Sequence, residues 1–254
     1  NVALLLVSTM TYTLGNATTS AINFVSPSAT IQTITFGMKA TGNLTFSGAG
    51  SSYQLADSFS ATSSVWVHTA GTLNTNGKTI SNASYSTSGS VASSLSLGAT
   101  DWTLNATNTP WSTATNSNWT LSAGTSTLRL NPTVNGMSSL AGNVFNAIVF
   151  AGAGTSRIGS SGITCANFTR TGTAVRTDTL MLDGDLTCNS TFTCNGNSIT
   201  NRMFVKSNIP GSARTITAAS VSISNSDFQD ISGAGAASWN ISASTGGSGD
   251  CGGN

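Results

Sequence analysis

Residues 180–205 read LMLDGDLTCNSTFTCNGNSITNRMFV, and the parity of this stretch decides the fold. Leu180, Leu182, Leu186, Cys188, Phe192 and Cys194 fall on even positions. Asp183, Asp185, Thr187, Asn189, Thr191, Thr193 and Asn195 fall on odd ones. Successive side chains of a strand point to opposite faces, so the alternation predicts one apolar face and one polar face. Asn195-Gly196-Asn197 predicts a turn, because Gly and Asn tolerate positive φ at little cost. Ile199, Met203 and Val205 then carry the apolar face onward in the opposite parity. The unit is a short strand, a Gly/Asn corner and a second short strand.

The unit recurs along the chain. Residues 1–40 hold three strand-like runs, ALLLVSTMTYTL, AINFV and TIQTITFGM, separated by Gly15-Asn16 and Ser26-Pro27-Ser28. The apolar VALLLV at residues 2–7 lacks an upstream basic region and reads as a buried strand rather than the tail of a cleaved signal. Asn76-Gly77 is a corner of the same type as Asn195-Gly196, and Ile80 stands after it as Ile199 does after its counterpart. FSGAGSS from Phe46 is echoed by FAGAGTS from Phe150, and TLNTNGKTI by TFTCNGNSI. These echoes predict a short unit of roughly 20 to 25 residues within a superunit of about 110, the mark of a solenoid. The expected superunits are residues 1–140 and 141–254, with the second continuing past the given chain.

Composition points the same way. Only 7% of the 254 residues are charged, against roughly 25% in ordinary soluble domains. Every acidic residue is Asp, and Ser, Thr, Asn and Gly fill the positions where helix surfaces carry Glu and Lys. A Ser/Thr-rich disordered tract would lack aromatics and periodicity. Here Trp66, Trp102, Trp111, Trp119 and Trp239 sit inside alternating segments. The net charge of +1 comes without a basic run, so the chain is expected to bind no nucleic acid. No apolar run reaches the roughly 18 residues that span a bilayer.

Two architectures fit. In a parallel β-helix, each coil gives two or three short strands, and inward Leu, Ile, Val and Phe stack in ladders. In a sandwich or jelly roll the strands pair antiparallel. Low charge favours the β-helix, because like residues stack roughly 4.8 Å apart, where charges repel and Ser, Thr and Asn form ladders. The expected fold is all-β, a parallel β-helix (solenoid) with Gly/Asn corners; the β-sandwich or jelly roll is the alternative.

Cys165, Cys188, Cys194 and Cys251 lie in the C-terminal third, without CxxC spacing and far in sequence from His68, the one histidine. Buried thiols are one reading; a disulfide between stacked strands, for instance Cys165 with Cys188, is the other. Spacing leaves both open.

Residues 215–254, TITAASVSISNSDFQDISGAGAASWNISASTGGSGDCGGN, resemble a pattern seen in repeat-rich right-handed parallel β-helix proteins of bacteriophage tails and virions and of bacterial surfaces. The matching residues are Val221, Ile223, Asp227, Phe228, Asp230, Trp239, Asp250, Gly252, Gly253 and Asn254, and Cys251 departs from the pattern. The resemblance implies a structural virion component (a phage tail, fibre or capsid-decorating protein) that is extracellular and oligomeric. Its implied partners are copies of itself, other virion or surface proteins, and host glycans. A bacterial adhesin or extracellular filament subunit is the alternative. Function does not follow from fold alone.

As chemistry, the candidates are few. Glycan-degrading β-helices use outward carboxylates with a basic residue. Asp183 with Asp185, at i and i+2 on one strand face, lie within reach of such a pairing, with Arg170 or Arg176 as the partner. The competing reading, which we prefer, is an Asp-Gly-Asp turn bonding local backbone N–H groups. Asp227 and Asp230 bracket Phe228 in an expected turn and read the same way. His68 alternates with Trp66 and has no nucleophile motif nearby. Trp111 and Tyr53 are candidates for stacking on sugar rings. The N-x-S/T triplets, such as Asn43 and Asn167, are what this composition gives by chance. The expectation is therefore a non-enzyme with no catalytic residue, no cofactor and no metal.

Overall fold

The computed structural model describes residues 2–5, 21–39 and 41–239. Among them every regular element is a strand and none is a helix. The strands stack parallel into a β-solenoid of about nine turns. Hydrogen bonds from one coil to the next join residues from 16 to 32 positions apart, so the coil length is looser than the short repeat predicted.

The chain divides into two compact units: Asn1–Ala106 with Pro110–Leu128, and Thr107–Thr109 with Arg129–Asn254. In the first, Val2–Leu5, Ile31–Thr35, Ser52–Leu55, Gly71–Asn74, Ser93–Ser96 and Trp119–Ser122 form a 6-stranded sheet. Each pairs in parallel with the strand one coil away, giving columns such as Tyr53–Leu73–Leu95 inside and Thr72–Ser94–Thr120 outside. Ile80–Thr87 runs along both remaining sides of its coil: Ile80 to Asn82 pair with Trp102 to Leu104, and Tyr85 and Ser86 with Trp111 and Ser112. The outer ladders hydrogen-bond as well as pack; Thr72 Oγ1 lies 2.9 Å from Ser94 Oγ.

Large rings fill the interior of this unit. Phe24, Phe46, Trp66, Tyr85, Trp102, Trp111 and Trp119 form a chain of contacts with centroids 4.7–6.0 Å apart. Edge and tilted packing at these spacings adds quadrupole attraction to the area buried. Tyr53 and Trp111 are 1% and 0% exposed, so neither can stack on a sugar. Val2–Leu5 is a strand, as read, but its last residue does not face the core, for Leu5 is 54% exposed.

In the second unit Val144–Phe150, Ile163–Thr171, Leu186–Asn195 and Arg214–Ser224 stack as long bent strands. Thr155–Ile158, Asp178–Leu182, Met203–Ser207 and Ser226–Gln229 stack as a second side. The decisive stretch behaves as its parity predicts: Leu180, Leu182, Leu186, Cys188, Phe192 and Cys194 are all at most 1% exposed. Stacking them forms interior columns, Phe145–Cys165–Cys188–Ala218 and Ile148–Phe168–Phe192–Val221. Outside run Asn167–Thr191–Ser220 and Thr169–Thr193–Ser222. The pairing slips by one residue between Cys188 and Thr191, where the strand bends.

Two corner expectations need correction. Asn76 and Gly77 both have positive φ, 54° and 67°. Gly196 does not, and it is glycine because a Cβ there would run into Asn225 O. Ile80 is buried, yet Ile199 is 79% exposed, since the turn after Gly196 carries it outward. The FSGAGSS and FAGAGTS corners do match in structure. Phe46 and Phe150 are buried, Gly50 and Gly154 have positive φ, and Gly48 and Gly152 each sit against a carbonyl of the preceding coil.

Candidate functional site

Each carboxylate of interest lies at or near a corner, where the chain turns and leaves N–H groups unpaired by the strand ladders. Asp57 accepts the backbone N–H groups of Phe36 and Gly37 at 2.8 and 2.7 Å, one coil back. Asp178 Oδ1 accepts Gly154 N at 2.6 Å, and its Oδ2 accepts Thr173 N. Asp185 Oδ1 accepts Thr215 N at 2.9 Å and Asp230 Oδ2 accepts Gly211 N at 3.0 Å. Buried backbone polar groups need partners, and a short charged acceptor at a corner supplies them strongly.

Asp183 and Asp185 do not act as a pair. Residues 183–185 form a bend rather than an extended strand, so the i, i+2 rule fails there. Asp183 pairs with Arg157 at 2.5 Å and lines a depression of about 260 Å³ with Thr109, Asn135 and Ser160. Asp185 lines a different groove, of about 320 Å³, with Ser160, Ser161, Thr164, Thr187 and Arg214. The turn reading is also amended, because the partners of both carboxylates lie in neighbouring coils rather than in local backbone. Neither proposed basic partner joins them. Arg176 is exposed and lines neither groove, and Arg170 is wholly buried.

Arg170 is the unexpected feature. Its Nη1 donates to Thr171 O at 2.8 Å and its Nη2 to Gly154 O at 3.2 Å, with the Asp178 carboxylate 3.7 Å away. Burial pulls the guanidinium pKa down, and Asp178 opposes that shift. The pair ties Thr171, Thr173 and Gly154 into one corner. Nothing in the spacing of Arg170 and Asp178 announced it; only the coil length would have placed Asp178 beside the Gly154 corner.

Asp227 is corrected too. It sits on the strand Ser226–Gln229, not in a turn, and takes a two-point ion pair from Arg202, Nε to Oδ2 at 2.6 Å and Nη2 to Oδ1 at 2.9 Å. That contact raises the Arg202 pKa. Asp230 does turn the chain, with φ 54°.

His68 is wholly buried in the first unit. Its Nε2 lies 3.1 Å from Gly71 O, which can only accept, so Nε2 carries the proton and Nδ1 accepts from the Tyr85 hydroxyl at 2.8 Å. Trp119 Nε1 in turn donates to the Tyr85 oxygen at 3.3 Å. Burial lowers the His68 pKa to about 4, so the ring is neutral at physiological pH.

Cys165, Cys188 and Cys194 are buried free thiols. Burial pushes Cys194 up to about 12, and contact with Cys188 together with burial pushes Cys165 up. Cys251, Asp250 and the closing glycines lie outside the described residues. Among the described residues, no three His, Cys or Asp side chains group as a metal would need, and no helix is long and apolar enough to cross a membrane.

Fold and corners together define a parallel β-solenoid whose ionisable groups bond coil to coil. Comparison with protein-family models, with characterised proteins and with solved structures finds no match to the chain.

Proposed function

We propose that the chain is a structural scaffold of an extracellular assembly, in the first instance a virion component such as a tail, fibre or capsid-decorating protein. The observation that carries the reading is the use of the corner charges. Asp57, Asp178, Asp185 and Asp230 each bind a backbone N–H of another turn of chain, and Asp227 on its strand binds a guanidinium of another turn, instead of converging on a shared opening. Such brackets stiffen corners, where a solenoid is otherwise easiest to open. The resemblance of residues 215–254 to phage and bacterial-surface β-helices selects the kind of assembly. A bacterial adhesin or filament subunit is the same reading in another location. The groove holding Asp185, Arg214 and five hydroxyl side chains supports a contribution to attachment on host glycans.

Electron microscopy of the particle or material that contains the chain, with an antibody against it, tests the proposal. Label at fixed positions on a virion is the expected result; label on a cell-surface layer selects the adhesin. A soluble unassembled protein that cleaves a glycan, and loses that activity in Asp185→Asn, would overturn the scaffold reading.

A further inference from the structure

We propose that Cys165 and Cys188 are a built cross-link site, closing as a disulfide that fastens two neighbouring coils. Parity put Cys188 on an apolar face. The structure places Cys165 on the inward face too, as the register partner of Cys188 on the adjacent parallel strand, in the interior column Phe145–Cys165–Cys188–Ala218. Register partners on adjacent strands lie about 4.8 Å apart, inside the roughly 4.4–6.8 Å Cα window of disulfides. Both side chains are buried on the inward face of that column, 0% and 1% exposed, with no residue between them in the register. Four cysteines allow three full pairings, and the fold singles out this one contact among the described thiols. Cys194 shares the strand of Cys188, but its register partners are Arg170 and Ile223. It stays a buried thiol.

The position gives the link a purpose. Pairing of these strands slips by one residue immediately after Cys188, where Asn167 meets Thr191. A slip of one residue turns a strand inside out, so register has most to lose beside such a bulge. A covalent bond at the last regular pair fixes it. The chemistry is thiol–disulfide exchange with a small disulfide such as oxidised glutathione. One protein thiolate attacks that disulfide and releases one glutathione; the second protein thiolate displaces the other. Two thiol protons leave, the protein gains one S–S bond, and one glutathione disulfide becomes two thiols. Both sulfurs are buried, so exchange occurs while the chain folds or during local opening. Like-on-like stacking, as Phe168 on Phe192, is the competing explanation of the pair.

The test is refolding of the full chain in a glutathione redox buffer. Free thiols are then alkylated under denaturing conditions, and peptides are mapped by mass spectrometry. Expected is a linked peptide pair containing Cys165 and Cys188, short of two hydrogens, with Cys194 alkylated. The thermal midpoint should fall when a reductant is added and should not respond to it in Cys165→Val/Cys188→Val. Alkylation of both cysteines, glutathione adducts alone, or a link to Cys194 or Cys251 instead would overturn the proposal. Should refolding fail, the same map on native protein incubated with oxidised glutathione decides it by the same outcomes. None of these results bears on whether the chain is a scaffold.

Discussion

The hydroxyl of Tyr85 and Nδ1 of His68 stand 2.8 Å apart inside a wall of aromatic rings, and burial there disfavours a second proton on the imidazole between Tyr85 and Gly71 O. The ordinary His value of 6.5 falls to about 4. Between those values the unfolded chain binds a proton that the folded chain refuses, so stability falls as pH drops from 6.5 to about 4 and levels off below. The full loss is about 3 kcal/mol. Urea midpoints across this range should show it, and His68→Gln should flatten that part of the profile. Equal slopes in the two proteins would mean that the carboxylates alone set the pH response.

Tyr85 satisfies two buried partners with one oxygen. Tyr85→Phe keeps the ring contacts with Trp102 and Trp111 but strands His68 Nδ1 and Trp119 Nε1. The expected loss is about 1–3 kcal/mol for each stranded group, read by chemical denaturation. A near-neutral result would show that the chain of donors is replaceable by packing.

The Arg170–Asp178 corner predicts asymmetry. Asp178→Ala leaves a buried guanidinium and the N–H groups of Gly154 and Thr173 without their acceptor, and should cost about 3–5 kcal/mol. Arg170→Met leaves Asp178 still holding two N–H donors and should cost less. The double variant should lose less than the sum of the two, with a coupling of about 0.5–3 kcal/mol. Strict additivity in a four-protein denaturation cycle would refute the coupling.

Two glycines of left-handed φ separate strain from crowding. Gly50 (φ 72°) faces open space, whereas a Cβ on Gly71 (φ 83°) would press on Ser51 Oγ and come within 2.5 Å of Gly48 O. Gly50→Ala should cost about 1–2 kcal/mol and Gly71→Ala clearly more, as thermal melts of both would show. Equal costs would mean that the first sheet yields to the extra methyl.

The strand faces were legible because parity is local. Residues 180–194 alternate in sequence as they alternate in burial. The corners were not legible to the same degree. Asn76-Gly77 and Asn195-Gly196 look alike, yet only the first is left-handed, because the second is shaped by the carbonyl of Asn225 in another coil. Partners of this kind lie 16 to 32 residues away with no fixed interval, and short-range spacing does not encode them. So Asp57, Arg157, Asp178, Arg202 and Arg214 passed unnoticed, while Asp183 with Asp185 drew attention for a proximity that a bend dissolves. Trp111 and Tyr53 misled in a different way, since ring chemistry suggested a surface role that their burial denies.

The variable interval between bonded coils has an evolutionary reading. A corner that no carboxylate or close-packed glycine ties to its neighbour can lengthen or shorten without disturbing the columns on either side. Lineages of such a chain can drift in length coil by coil while keeping their inward residues, and alignment by position loses them long before the fold does. Kinship among these proteins is then better sought by matching column to column than residue to residue.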